Sequence, residues 1–318
     1  MNANYSLRTY DMSLTDSTFI WQLWKERLPF MPLPDANAFH MMLQKKIEGL
    51  EEACFLIFVR NKIAAFSVCF TTDTKHTIRV FGVTSPTEEN KGLGQRLLKK
   101  TEQYAKEKGI QNIHTMTFES FPNALRFLSK ANFTVKDQLI WSSFLLDQKI
   151  SATAQNKYRN VCSSGIQFIS GIEFSEIYSD WDYRWWKHIG ECLIDVPSEI
   201  PIQIPPFEKW RSFLNIPSCR RKNTIFAMDR NSLVGLLELG EPQNGTSNIN
   251  HSSVARSHRR RGISTALKVE AVRWGRRKNL TALHTQNHSN NPILQINLDF
   301  GFVQQHCQYN MGKSLKPS

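Results

Sequence analysis

Three consecutive arginines, Arg259, Arg260 and Arg261, stand directly before Gly262, and Ser264, Thr265 and Ala266 follow within one helical turn. A glycine loop that opens a helix presents backbone N–H groups with no intrahelical partner, and these donors together with the helix dipole favour a phosphate. Small side chains let a ligand approach the backbone, and guanidinium groups add charge-assisted bonds, the stronger class. The arrangement occurs twice. Glu89-Asn90-Lys91-Gly92-Leu93-Gly94 opens an earlier helix, and the register holds downstream. Ile113-His114-Thr115 answers Leu283-His284-Thr285 at the same offset, and Ala131-Asn132-Phe133 answers Phe300-Gly301-Phe302 one residue closer. So long a repeat is a duplicated domain, since solenoid units run to roughly 20–50 residues. The chain has no G-x-x-x-x-G-K-S/T loop. Gly92-x-Gly94 lacks a third glycine and follows an antiparallel meander, which argues against a dinucleotide fingerprint.

The elements that position these loops also repeat. The first half reads as a strand at 6–10, helices at 16–27 and 37–49 with Asp16 and Asp35 as caps, and strands at 54–59, 63–71 and 77–83. A helix at 92–109, a strand at 112–118, a short helix at 123–130 and closing strands at 133–146 complete it. Residues 148–164 are polar, without a clear period, and read as a linker. The second half reads as a strand at 166–170, a long helix at 174–193, a segment punctuated by Pro197, Pro201, Pro205 and Pro206, and a helix at 207–214. A hairpin at 224–239, a strand at 248–254, the loop helix at 262–278, a strand at 280–285, a helix at 292–300 and a final strand at 302–311 follow. This order implies an α/β (mixed α+β) fold: two domains, 1–150 and 160–318, each a mixed, mostly antiparallel sheet with helices on both faces.

With 41% apolar residues the chain is globular. No secretory leader is expected, and no apolar run reaches the ~20 residues that a membrane span needs. Its six cysteines form no C-x-x-C pair, against a disulfide framework and a zinc site. A cytoplasmic protein without a metal is expected, monomeric or homodimeric. The net charge of +12 gathers around 220–222, 256–261 and 273–278. The last two stretches flank the second glycine loop, which favours a phosphate-rich ligand. No aromatic stacking pattern or helix-turn-helix signature points to nucleic acid.

The pattern Arg/Gln-x-x-Gly-x-Gly/Ala, between a strand and a helix, resembles the acetyl-CoA motif of the GNAT N-acetyltransferase superfamily. Residues 253–264 match it well, with Ser264 in the small-residue slot, and 287–302 are also similar to that superfamily. The chain resembles in particular tandem GNAT proteins of the mycothiol synthase kind. The resemblance implies acetyl-CoA (CoA) as cofactor. The backbone amides of Arg261, Gly262, Ile263, Ser264 and Thr265 would cradle its pyrophosphate, with Arg256 and Arg259 beside them. Val254, on a splayed strand edge, and Asn290 would meet the pantetheine arm. Asn297 stands at the cofactor where many relatives carry a tyrosine that protonates the leaving thiolate. Leu128 holds that place in the first copy.

The first copy carries Glu89 where the second has Arg259, and Phe121 where it has Asn290. Carboxylates repel a pyrophosphate, so the second domain is the expected acetyl-CoA site and the first a degenerate copy. Two working sites are the alternative. The resemblance implies an acyltransferase that moves an acetyl group from acetyl-CoA to a primary amine of a small molecule by direct attack. A peptide or protein amine is the runner-up acceptor, and a non-catalytic acyl-CoA-binding or regulatory protein is the other class. Candidates for the base are Glu238, within the apolar run Leu236-Leu237-Glu238-Leu239, and His251. Strand alternation could instead point Glu238 to solvent, and His251 could be a satisfied strand histidine. Trp181, Trp185 and Trp186 line either an acceptor pocket or plain core.

Overall fold

The structure, a computed structural model, describes residues 5–31, 33–47, 49–72, 74–195, 204–212, 214 and 220–315. It contains two compact units. One comprises Met1–Thr117, Phe121–Lys136 and Tyr309–Ser318, the other Phe118–Ser120 and Asp137–Gln308.

The first unit runs β1 (Tyr5–Thr9), α1 (Leu14–Arg27), α2 (Ala36–Ile47), β2 (Phe55–Val59), β3 (Lys62–Thr71), β4 (Thr77–Thr84), α3 (Leu93–Glu107), β5 (Asn112–Phe118) and α4 (Pro122–Lys130). Strands β1 to β4 are antiparallel neighbours in chain order. Arg60 and Asn61 join β2 to β3 with φ of 47° and 61°, the left-handed pair that suits a two-residue hairpin. The two faces of the sheet are covered by different helices. On one, Trp24 of α1 stacks on Phe81 of β4 at 3.9 Å and meets Phe39 of α2 edge-on. On the other, Leu93 and Leu97 of α3 pack with Phe55, Ile57 and Ala65.

Helix α1 begins earlier than expected. Ser13 is its cap and accepts from the Asp16 N–H, while Asp16 lies inside the helix, buried, with Arg8 bound to its carboxylate. Asp35 does cap α2, accepting from the N–H groups of Asn37 and Ala38 at 3.0 Å.

The second unit contains β6 (Thr134–Leu145), α5 (Ala152–Ser163), β7 (Ile166–Ser170), α6 (Gly171–Ile177), α7 (Trp181–Leu193), α8 (Phe207–Ser212), β8 (Thr224–Asp229), β9 (Ser232–Leu239), β10 (Thr246–Val254), α9 (Ile263–Arg277), β11 (Ala282–His288), α10 (Pro292–Phe300) and the start of β12 (Val303–Ser314). Its strands lie in the order β6-β11-β10-β9-β8-β7, with only β10 and β11 parallel. Successive residues of a strand face opposite sides of the sheet. Accordingly Ile225, Ala227, Leu237 and Leu239 pack with α5 and α9, whereas Phe226, Met228 and Leu236 pack with Phe174, Trp185 and Trp210. Each of the Leu, Ile, Phe and Met side chains among them, fully buried, contributes about 1.5–3 kcal/mol.

Three expectations change in this unit. The stretch 148–164 is largely helix, because Ser151 caps α5 by accepting from the Ala154 N–H. Ala154, Tyr158 and Val161 then form one apolar stripe within the core that contains α9. The long helix expected at 174–193 is two helices. A capping box between Ser170 and Glu173 starts α6, and Tyr178 turns extended, at φ −115° and ψ 116°, before α7 begins. The final strand does not stay with the second unit, for the Leu315 N–H donates to the Gln111 carbonyl at 2.7 Å and Ser314 bonds Asn112. Pro197 and Pro201 lie outside the described residues; the Pro205 carbonyl accepts from the Trp186 indole. Trp185 is fully buried, with Trp181 and Trp186 packed around the same cluster, so the tryptophans are core.

Candidate functional site

The second glycine loop is built by backbone conformation. One turn at Arg256, Ser257 and His258 leads out of β10, Arg260 takes φ 61° and Gly262 takes φ 86°. A side chain at Gly262 would be strained by that φ, and its Cβ would lie 3.4 Å from Val161 of α5. The first helical bond of α9 runs from the Ala266 N–H to the Gly262 carbonyl at 3.0 Å. Among the described residues the N–H groups of Ile263, Ser264 and Thr265 meet no protein acceptor. Thr265 also lines a cavity of about 210 Å³ with Lys157 of α5 and Ile296, Asp299 and Phe300 of α10.

The adjacent strands separate as the resemblance implies. Strand β10 pairs with β11 only from Thr246 to Ile249, and the β9 register shifts between Ile249 and His251. Beyond Ile249, as far as Val254, β10 has no ladder pairing with β11. The Val254 carbonyl accepts from Arg259 Nε at 3.1 Å.

The arginines are only partly available to an anion. Arg256 Nε and an Arg259 terminal nitrogen both bind the Asp195 carboxylate, at 2.8 and 2.6 Å. Hydrogen bonds from Arg256, then Arg259, hold that carboxyl well below the usual carboxylate range. Arg261 lies 3.9 Å from Asp229, which also binds His258. Among the described residues, exposed Arg260 makes no ion pair.

Asn290 sits exposed in the turn after β11, and its neighbour Asn291 caps α10 through the Ile293 N–H. Asn297 is 1% exposed. Its Nδ2 donates to Asn287 Oδ1 of β11 at 2.6 Å, and its own buried Oδ1 has no protein partner.

Glu238 and His251 are brought together as register partners across β9 and β10. Glu238 is buried, not turned to solvent, and accepts from the Trp185 indole at 3.1 Å. His188 of α7, absent from the sequence reading, joins them. Its Nε2 lies 3.1 Å from the Ser253 hydroxyl and 3.6 Å from Cys192 Sγ. Burial first, and the nearby His251 second, push His188 down to about 4, while its bond to the Leu233 backbone opposes the shift. His188 is thus neutral near pH 7 and, in the tautomer with Nε2 unprotonated, accepts a hydrogen bond from the Ser253 hydroxyl. No sequence spacing announces this cluster, because α7 supplies one member and two strands the others. Among the described residues no group of three or more His, Cys, Asp or Glu side chains could hold a metal. No described helix is long and apolar enough to cross a membrane.

This geometry fits an acyl carrier with a diphosphate. The loop leaves three donors without a protein acceptor behind a left-handed glycine, and strands β10 and β11 part beside it. Comparison with known proteins agrees. The chain matches the acetyltransferase (GNAT) family over residues 18–133 and again over 181–302. No curated protein matches it by sequence. Among solved structures it is similar to a GCN5-related N-acetyltransferase from Sphaerobacter thermophilus, with a TM-score of 0.72 at 18% identity, covering 99% of this chain and 96% of that one. A tandem GNAT protein from the clavulanic acid biosynthesis pathway aligns with a TM-score of 0.69 at 14% identity, over 99% of this chain and 100% of the other. The fold and both motif regions place this chain in the acetyltransferase (GNAT) family, whose domain it carries twice.

Proposed function

We propose that the chain moves an acetyl group from acetyl-CoA to the primary amine of a small molecule by direct attack, at a site in the second unit. The observation that carries this reading is the coincidence of free N–H groups at Ile263, Ser264 and Thr265 with the stretch of β10 that has no ladder pairing with β11. Acetyl-CoA, when bound, supplies the activated thioester. The three N–H groups, Arg260 and Arg261 hold its diphosphate, while Arg256 and Arg259 border the loop through Asp195. The backbone of β10 beyond Ile249, up to Val254, lines the pantetheine arm and offers an N–H to the thioester oxygen. Asn290 flanks the arm from the turn before α10. Asn297 is an amide and no acid, but its unpaired Oδ1 accepts from an N–H donor.

His251 would take the amine proton, with Glu238 beside it to stabilise the cation, and that proton would pass directly or through water to the departing thiolate, which leaves as the free thiol. His188 accepts from Ser253, which leaves the Ser253 oxygen free to receive a hydrogen bond from the incoming amine. The buried polar set Glu238, His251 and Ser253 therefore orients the acceptor and removes its proton.

Calorimetry with acetyl-CoA, followed by thiol release on a panel of amines, tests the reading. Micromolar binding with amine-dependent thiol release supports it. Binding without release from any small amine or peptide favours a non-catalytic acyl-CoA-binding role, to which the amide at Asn297 lends some weight. No binding at all sinks both.

A further inference from the structure

Lys268 is 2% exposed, and no carboxylate among the described residues pairs with it. Among the described residues its hydrogen bond runs from Nζ to Ser264 Oγ, at 3.1 Å. Burying an ammonium without a counter-ion is costly, and the same helical position in the first copy is Leu98. A leucine would serve the packing of α9 at least as well, so the charge calls for another reason.

That reason lies one turn away. Helical side chains lean toward the N-terminus, which carries the ammonium from Lys268 to the loop end of α9. There it meets the hydroxyl of Ser264, whose own backbone N–H is among the three free donors. We propose that Lys268 is the buried counter-charge of an anionic diphosphate at this loop, acting through Ser264. Because Ser264 Oγ accepts from Nζ, its hydroxyl proton is turned outward as a donor. The relay is ammonium to hydroxyl to phosphate oxygen, and the ammonium's field reaches the anion through a medium of low polarity. Lys268 is a positioning residue, not a catalytic one. It makes the site selective for acyl carriers with a diphosphate over the bare acyl-pantetheine arm. Burial is the sole cause that lowers the Lys268 pKa, to about 8, and no other charged group offsets it. The ammonium is therefore present at neutral pH and lacks only an anion.

The inference rests on the cofactor site proposed above, and two ligands separate their failures. Calorimetry compares acetyl-CoA with S-acetylpantetheine, which lacks the diphosphate, on wild-type protein, Lys268→Leu, Lys268→Met and Ser264→Ala. Lys268→Leu is expected to weaken acetyl-CoA by about 10- to 100-fold, in line with loss of a charge-assisted bond. S-acetylpantetheine affinity and kcat at saturating acetyl-CoA should stay unchanged. Lys268→Met should match Lys268→Leu, and adding Ser264→Ala to either should cost little more, since the two side chains act in series. Unchanged acetyl-CoA affinity in Lys268→Leu and Lys268→Met overturns the inference and leaves the cofactor site intact. Equal loss of both ligands also overturns it, since that marks a packing defect. Wild-type protein that binds no acetyl-CoA overturns the cofactor site and the inference with it.

Discussion

Val68 faces Phe81 across β3 and β4 of the first unit; Glu238 faces His251 across β9 and β10 of the second. The next pairs are Phe66 with Val83 and Leu236 with Ser253. At these pairs the two sheets share one register and differ in chemistry; of the two ladders only β9–β10 shifts register, between Ile249 and His251. In the first unit Phe81 stacks on Trp24 and the region is sealed by apolar contact. In the second the same lattice points hold a carboxylate, an imidazole and a hydroxyl, covered by His188 and Trp185. The loops diverge in the same way. Asn90 and Gly92 repeat the left-handed backbone of Arg260 and Gly262, and β4 pairs with β5 only at Thr77, Ile78 and Arg79 before the strands part. Yet the first loop carries Glu88, bound to Lys91 and Tyr5, and Glu89, bound to Arg27. Both copies keep the left-handed turn that opens the loop helix; they differ in the side chains around it, carboxylates in the first and arginines in the second.

The comparison can be broken most forcefully at the loops. Gly262→Glu adds strain at positive φ and a carboxylate beside the anion, so acetyl-CoA affinity should fall by roughly 1,000-fold or more. Gly92→Glu should leave it within about 2-fold, and calorimetry reading equal losses would refute the choice of unit. The facing strands come next. His251→Ala should lower kcat by about 100- to 1,000-fold with little change in fold. Phe81→Ala should spare kcat and instead cost about 3–5 kcal/mol in denaturant unfolding. The reverse pattern would move the chemistry to the first unit.

Lys268 sharpens the contrast with Leu98. Its pKa is about 8 when folded, against an ordinary 10.5. Between those values the unfolded chain binds the extra proton, so stability should rise with pH across that window, and the penalty is full below it. Lys268→Leu should stabilise the ligand-free protein at pH 7 by about 3 kcal/mol and abolish that part of the rise. A destabilised variant in thermal unfolding would contradict this. The smallest effect is expected at Asp195. Asp195→Asn releases Arg256 and Arg259 and should tighten acetyl-CoA by about 2- to 5-fold at low salt, with the gain fading as salt screens these exposed charges. A loss of affinity would mean that Asp195 holds the arginines in place.

The glycine loops were legible in the sequence because a left-handed turn at a helix start restricts the residue type at Gly92 and Gly262. The duplicated sheet followed from the repeated order of strands. Three things were hidden. Helix α5 keeps its stripe of Ala154, Tyr158 and Val161 among polar residues, so its period is faint. Alternation suggested a solvent-facing Glu238, but α7 covers that face as α9 covers the other, and a strand buried on both sides leaves no outward side. Lys268 drew no notice in the sequence, since nothing in its spacing shows that the packing around α9 buries it.

The central claim is that the repeated cradle binds acetyl-CoA once per chain, in the second unit. The stoichiometry of acetyl-CoA in isothermal titration of the full chain tests it most directly. The account predicts one tight site per chain, removed by Gly262→Glu. Two sites of equal affinity, or one that survives Gly262→Glu and is lost in Gly92→Glu, would contradict it.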